Sequence, residues 1–222
     1  MEPSNRFRDL TLSEFVGRLA SPDPVPGGGS AAAVAGSLAA ALVTMVASLS
    51  TGRPRYSVHA ALHGVSLTAG RELADRLLAL ADEDADAYAG FGAAMRLPRE
   101  TDDEQDARAE AIDRAARAAS DVPYRTVEAC RDVAELAEAL AGRCNQNASS
   151  DLEVASLLAL AAARGAAANV RVNLPSIQDQ AFAGELLART EELAREVERL
   201  ADRACEVVRG GDMREAVEVS SR

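Results

Sequence analysis

The chain has 222 residues and a formal net charge of -11, with 48% hydrophobic residues, 3% aromatics and no Trp. That length suits one domain with a substantial core, and the 48 alanines favour helices over β-sandwiches and barrels. The negative charge excludes an overall field that would draw the protein to nucleic acid or anionic lipid, and because all 24 basic residues are Arg, lysine Schiff-base chemistry is excluded as well.

Thr11 to Glu14 reads as a capping box opening a short helix that ends before Ser21. Pro22, Pro24 and Pro26 stiffen the next segment, and Gly27, Gly28, Gly29 and Ser30 lead into an uncharged helix, roughly Ser30 to Ser50, broken by Gly52 and Pro54. Its nineteen charge-free residues from Ala31 to Leu49 are long enough for a membrane span. Their Ala, Gly and Ser content and the absence of flanking Trp or Tyr suit a helix buried all round in a soluble bundle instead. A long helical pattern follows from about Ser57 to Arg96, and Pro98 ends it.

Thr101 to Glu104 is a second capping box, opening a charged helix to about Ser120; Pro123 suits the first turn of another helix, to about Arg143. Ser150 to Glu153 is a third capping box, for an apolar helix that stops near Asn173 before Pro175. The last helix runs from about Gln178 to Arg209 and ends at Gly210 and Gly211. The expectation is an all-α, single-domain bundle of six or seven helices around the central Ala-rich helix, spanning 1–222, with flexible tails at 1–9 and 212–222. A core so poor in aromatics gains little apolar area per residue, which predicts further burial in a homodimer. Cys130, Cys144 and Cys205 sit at no metal-ligand or C-x-x-C spacing, and the polar segment from Met1 to Asp9 lacks the apolar core of a secretory signal, so a reducing, cytoplasmic setting is expected.

Three features can carry chemistry. The Ser21 to Ser30 loop exposes glycine N–H groups just before a helix N-terminus, a place suited to an anionic or carbonyl group or, equally, to close helix passage. In the run Asp82, Glu83, Asp84, Asp86, helical geometry sets Leu77, Leu78, Ala81, Ala85 and Tyr88 on an apolar face with Asp84 at its edge, while Asp82 and Asp86 point toward water. A carboxylate at such an edge can work as a general acid or base; a solvated charge run is the ordinary alternative. Asp151, Asn169 and Asn173 share one stripe of the helix after Ser150, with Asn145 and Asn147 in the loop before it, and buried amides must find partners in the protein or in a ligand. At 1.5 Å per residue, Asp151 and Asn169 stand roughly 27 Å apart, too far for one small ligand. His59 and His63 lie at i, i+4 without a third ligand or an H-E-x-x-H pattern, so no metal site is expected.

Several ordered segments together are more specific than the glycine run alone: SPDPVPGGGSAAAVAGSLAAALVTMVASLSTGRPRY, DADAYAGFGAAMRLPRET, VPYRTVEAC, NQNASSDLEVA and NVRVNL. In this order they resemble the formiminotransferase-cyclodeaminase C-terminal family, over about Leu10 to Arg209. The resemblance implies an all-helical dimeric enzyme acting on tetrahydrofolate one-carbon derivatives, as a methenyltetrahydrofolate cyclohydrolase, a formiminotetrahydrofolate cyclodeaminase or both, with no metal and no cofactor beyond the folate substrate. By motif position it draws attention to Pro26, Gly27, Gly28, Gly29, Ser30, Asp84, Asn145, Ser150, Asp151, Asn169 and Asn173. Asp84 is then the expected proton shuttle with Asp151 as its rival, the glycine backbone and the asparagines meet the pterin, and Arg53 and Arg99, where the family often has Lys, meet the glutamate tail. A folate-binding or regulatory protein without turnover, and a helical assembly protein without ligand, stay open as alternatives.

Overall fold

The computed structural model describes residues 6–217, and among them the regular structure is wholly helical. Six α-helices form the domain: α1 (Leu12–Leu19), α2 (Gly28–Ser50), α3 (Ala60–Met95), α4 (Asp102–Leu140), α5 (Ser149–Asn173) and α6 (Gln180–Gly210). The capping boxes of α1 and α4 form as expected: the Thr11 and Thr101 hydroxyls accept the N–H groups of Glu14 and Glu104, whose side chains reach back. Asp179 caps α6, and Gly211 closes it in the left-handed region, with φ 74°.

Helix α2 is the centre of the bundle and runs antiparallel to both neighbours. Its N-terminal Gly28 approaches Asn169 near the end of α5, and its Ser30 meets Asp84 in the second half of α3. At its other end, the Ser50 hydroxyl accepts the Asn145 N–H just before α5. A Cβ on Gly70 of α3 would collide with the Thr44 hydroxyl, so only glycine allows these helices their close crossing. Such approaches let Ala and Val make up most of the core around a few leucines such as Leu77, Leu80, Leu140 and Leu152.

Four local expectations change. Pro123 does not start a helix: it lies buried inside the continuous α4 of 39 residues. Neighbouring structure compensates for its missing N–H, because Asn173 Nδ2 donates to the Ala119 carbonyl at 2.7 Å, the acceptor that residue 123 would otherwise fill. The Ser150 to Glu153 capping box does not form: a 3-10 turn, Gln146–Ala148, precedes α5, and Glu153 pairs with Arg209 of α6. The third pattern begins with another 3-10 turn, Pro54–His59, so α3 starts at Ala60 and then runs unbroken through its glycines.

Finally, α2 is not buried all round. Although long and apolar enough to cross a membrane, it packs its inner face into the core and leaves Leu38, Met45 and Leu49 exposed on one outer stripe.

The expected tails are docked over their described parts. Phe7 sits edge-on to Phe15 at 5.7 Å, its N–H donates to Asp82 at 2.6 Å, and Arg8 pairs with the same carboxylate. Arg214 donates its N–H to the Gly142 carbonyl and pairs with Glu138, while Arg143 Nε donates to the Glu215 carbonyl. Residues 1–5 and 218–222 of those segments lie outside the described residues. The three cysteines are buried and unpaired. Burial pushes Cys130 up to about 12 and Cys144 up to about 11, so neither offers a reactive thiolate at neutral pH.

Candidate active site at the N-terminus of helix α2

The four neighbouring carboxyl groups have four different fates. Asp82 does not reach for water but holds Phe7 and Arg8. Glu83 accepts from Arg125 of α4 at 2.6 Å, and Asp86 is exposed. Asp84 turns inward.

The buried line of α3 runs through Leu73, Leu77, Leu80 and Ala81, so Asp84, four residues after Leu80, falls on that line instead of at its edge. Leu78 and Tyr88 belong to a more open side, with Tyr88 half exposed. The face is rotated because α3 packs against α2 on one side and α4 on the other, and the polar N-terminus of α2 supplies partners for a carboxylate there.

The Ser30 hydroxyl donates to Asp84 Oδ2 at 2.8 Å, and the Ser30 backbone also hydrogen-bonds the carboxyl. Gly29 completes the seat: a Cβ there would lie 2.6 Å from Asp84 Cγ and 2.7 Å from Oδ2, and would collide with Oδ1. Burial raises the Asp84 pKa above the ordinary carboxylate range, and the Ser30 hydrogen bonds oppose that rise. The positive end of α2 acts with Ser30 in holding the ionised form. The result is a half-buried carboxyl that can hold or release a proton closer to neutrality than an exposed one.

Asp84 opens onto a pocket of about 400 Å³ bounded by the Pro24–Gly29 loop, α3, α4 and the end of α5. Its apolar walls are Val25, Tyr88, Phe91 and Val172; its polar groups besides Asp84 are Asn169, Asn173, Ser176 and the glycine backbone. This is the size and balance of a small-molecule site. Pro26 is buried behind the loop. A larger depression of about 850 Å³ lies across Pro24 and Val25, and its lining includes Asp23, Asp82 and Asp86. Arg6 and Arg18 line it as well, so it mixes charges of both signs, whereas the only charged side chain in the lining of the Asp84 pocket is Asp84 itself. A third groove, of about 650 Å³, contains Arg99 and Arg108 and shares Ser176 with the Asp84 pocket. Phe91, Val172, Ser176 and Arg108 had no sequence signal that set them apart; their importance comes from the approach of separate helices.

The remaining nominated residues stand at the opposite end of α2, about 33 Å away by helical rise. Asn145 is buried and fully engaged: its N–H donates to Ser50 Oγ at 2.8 Å, its Nδ2 reaches the Leu49 carbonyl at 3.5 Å, and its Oδ1 accepts the Asn147 N–H at 3.2 Å. It fastens the C-terminus of α2 to the start of α5. Arg53 and Ser150 are exposed and Asp151 is partly exposed; within one protomer they cannot reach the Asp84 pocket. The stripe through Asp151, Asn169 and Asn173 therefore divides between two ends. His63 Nε2 bonds the Arg143 carbonyl at 2.8 Å, which fixes its tautomer, since a carbonyl only accepts. No group of three or more His, Cys, Asp or Glu side chains among the described residues has the geometry to hold a metal.

Comparison with known proteins agrees with this architecture. Residues 11–192 match the formiminotransferase-cyclodeaminase family model, and the chain belongs to that family. A methenyltetrahydrofolate cyclohydrolase from Methylorubrum extorquens is 42% identical over 90% of this chain and 96% of its own length. A formimidoyltransferase-cyclodeaminase from Gallus gallus is 32% identical over 78% of this chain, which spans only 32% of that longer protein. A crystal structure of formiminotetrahydrofolate cyclodeaminase from Thermotoga maritima superposes with a TM-score of 0.82 at 28% identity, covering 90% of this chain and 96% of that one.

Proposed function

We propose that the protein is a folate one-carbon enzyme, a methenyltetrahydrofolate cyclohydrolase, with Asp84 as its proton shuttle. The observation that carries this reading is the desolvated Asp84 carboxyl on Ser30 at the wall of an aromatic-lined pocket. The full-length likeness to the Methylorubrum cyclohydrolase supports the choice of reaction. Likeness to the Thermotoga structure favours a second reaction at the same site, loss of ammonia from formiminotetrahydrofolate.

In cyclohydrolysis the methenyl carbon between N5 and N10 is already electrophilic because the bridge is cationic, so water addition requires no Lewis acid. Asp84 takes one proton from the attacking water and stabilises the cation before attack. The tetrahedral carbinol collapses as the C–N5 bond breaks: the Asp84 proton goes to N5, the hydroxyl proton leaves to solvent, and 10-formyltetrahydrofolate forms. In the ammonia-releasing reaction N10 attacks the formimino carbon and its proton passes through the same carboxyl to the exocyclic nitrogen; with one further proton from solvent that nitrogen leaves as ammonia, the C–N bond to it breaks, and the methenyl cation bridging N5 and N10 forms. Neither step uses a metal or a cofactor beyond the folate itself.

The pterin occupies the pocket between Tyr88, Phe91 and Val172, and the glutamate tail leaves past Ser176 toward Arg99 and Arg108. We also place the working unit as a homodimer in a reducing compartment such as the cytoplasm. The uncovered α2 stripe of Leu38, Met45 and Leu49 offers a self-complementary apolar surface, and the buried free thiols suit that setting. Mixing purified protein with methenyltetrahydrofolate and following its chromophore tests the central reading: catalysed loss is expected from the wild type and not from Asp84→Asn. Folate binding by the wild type with no turnover of either substrate overturns it in favour of a binding protein.

A further inference from the structure

The four Phe and three Tyr residues of the chain are almost all occupied within the fold. Phe7 and Phe15 pack edge to face. Arg55 stands over the Tyr56 ring at 5.6 Å and Arg117 over the Phe182 ring at 4.5 Å, while Phe91 and Tyr124 lean on the small core cluster around Val170 and Ile177. Tyr88 has none of these partners. It is 51% exposed, and among the described residues its ring meets no other ring or cation.

Tyr88 nevertheless lines the Asp84 pocket. It follows Asp84 by one turn of α3, about 6 Å of helical rise, on nearly the same side of the helix. Phe91 follows by two turns, about 10 Å. No arginine or histidine lines the pocket, so nothing in its walls neutralises Asp84 with a positive charge. A carboxylate and the electron-rich face of a tyrosine, side by side and both without a protein cation, make a wall that suits a cationic ligand.

We infer that Tyr88 is a specificity residue that reads the charge of the bound folate: its ring faces the cationic N5–C–N10 bridge held at Asp84, so the pocket takes the cation in preference to neutral forms of the same ring system. The inference rests on the folate reading and adds to it what the pocket recognises in the bridge. Water addition removes the charge and with it the attraction to the ring, which favours release of the formyl product. Phe91 lies too far along α3 to reach a bridge at Asp84 and meets the uncharged part of the ligand.

The test compares 5,10-methenyltetrahydrofolate, the substrate, with 5,10-methylenetetrahydrofolate, which keeps the five-membered bridge, lacks its charge and serves as a competitive inhibitor. Attraction between a ring and a cation at a half-exposed site is worth about three- to tenfold in affinity. Tyr88→Leu should therefore raise KM for the methenyl substrate by that factor and leave Ki for the methylene compound within twofold. kcat should not fall, because the charge is already fading in the transition state and the ring holds the ground state more firmly. The side chain is half exposed, so this variant is expected to fold as wild type does.

Tyr88→Phe keeps the ring and should retain both constants near wild type, whereas Phe91→Leu should raise KM and Ki alike. A tyrosine that served packing alone would move both constants together. Equal changes of KM and Ki in Tyr88→Leu, no change in either, or a KM rise in Tyr88→Phe as large as in Tyr88→Leu overturns the inference while leaving the folate reading intact. Failure of wild type to bind either compound overturns both.

Discussion

The two ends of α2 contain similar kinds of residue and treat them in opposite ways. At the N-terminal end, glycine, serine, a carboxylate and two asparagines surround a pocket, and the Oδ1 atoms of Asn169 and Asn173 accept from no partner among the described residues. At the C-terminal end, Asn145 spends its backbone N–H, Nδ2 and Oδ1 on Ser50, Leu49 and Asn147. A buried polar group that is fully hydrogen-bonded specifies structure, whereas one with spare capacity beside a cavity is available to a ligand. Residue type does not distinguish these cases; the count of remaining partners does.

The sharpest break of that comparison is Asp84→Asn, which keeps size and can still accept from Ser30. kcat should fall by about 10² to 10⁴, the range for loss of a general acid or base. Stability should move the other way. Because burial raises the Asp84 pKa, the folded state binds this proton more tightly than the unfolded chain, and the carboxyl costs stability as pH rises through its raised value. Above that range Asp84→Asn should melt no lower than wild type, and the decline across the window should disappear from the pH dependence of Tm. A wild-type kcat would remove Asp84 from the proton-shuttle role.

Gly29→Ala acts on the same seat without touching a titrating group. The new methyl must displace the Asp84 carboxyl, and displacement of a catalytic group by about 1 Å costs about 10² in rate. Steady-state kinetics should show that loss in kcat with the helical circular dichroism spectrum preserved.

Asn145→Ala probes the other end and should give the inverse profile. Leaving buried partners unsatisfied costs about 1–3 kcal/mol in urea unfolding, with kcat within twofold of wild type for the protein that remains folded. A collapse of kcat in a fully folded variant would mean that this end of a second copy completes the site across the α2 interface.

The smallest expected effects concern the arginines. Arg99→Ala should raise KM several-fold, more for polyglutamylated substrate, with kcat unchanged. Arg53→Ala should leave both constants near wild type if its end belongs to scaffold alone. Equal KM increases for the two variants would place both ends at one ligand, which a single protomer cannot do over about 33 Å.

The sequence by itself determined whatever depends on neighbours within about one helical turn. Ala content set the class, Thr11 with Glu14 and Thr101 with Glu104 marked two helix starts, Pro98 and Pro175 marked stops, and the spacing around Asp84 singled out one carboxyl of four. Ordered motifs carried the family and the residues around the glycine run. Tertiary structure decided what depends on partners far along the chain. Pro123 reads locally as a helix start, yet Asn173, fifty residues later, supplies the hydrogen bond that lets α4 continue. Arg53 shares a motif with the glycine loop, and Asp151 shares a helical stripe with Asn169 and Asn173, but the antiparallel packing of α2 and α5 puts Arg53 and Asp151, with Asn145 and Ser150, at the far end. Helical periodicity specifies which face a side chain occupies; only the packing of helices against one another specifies which end of the bundle, and which partner, that face will meet.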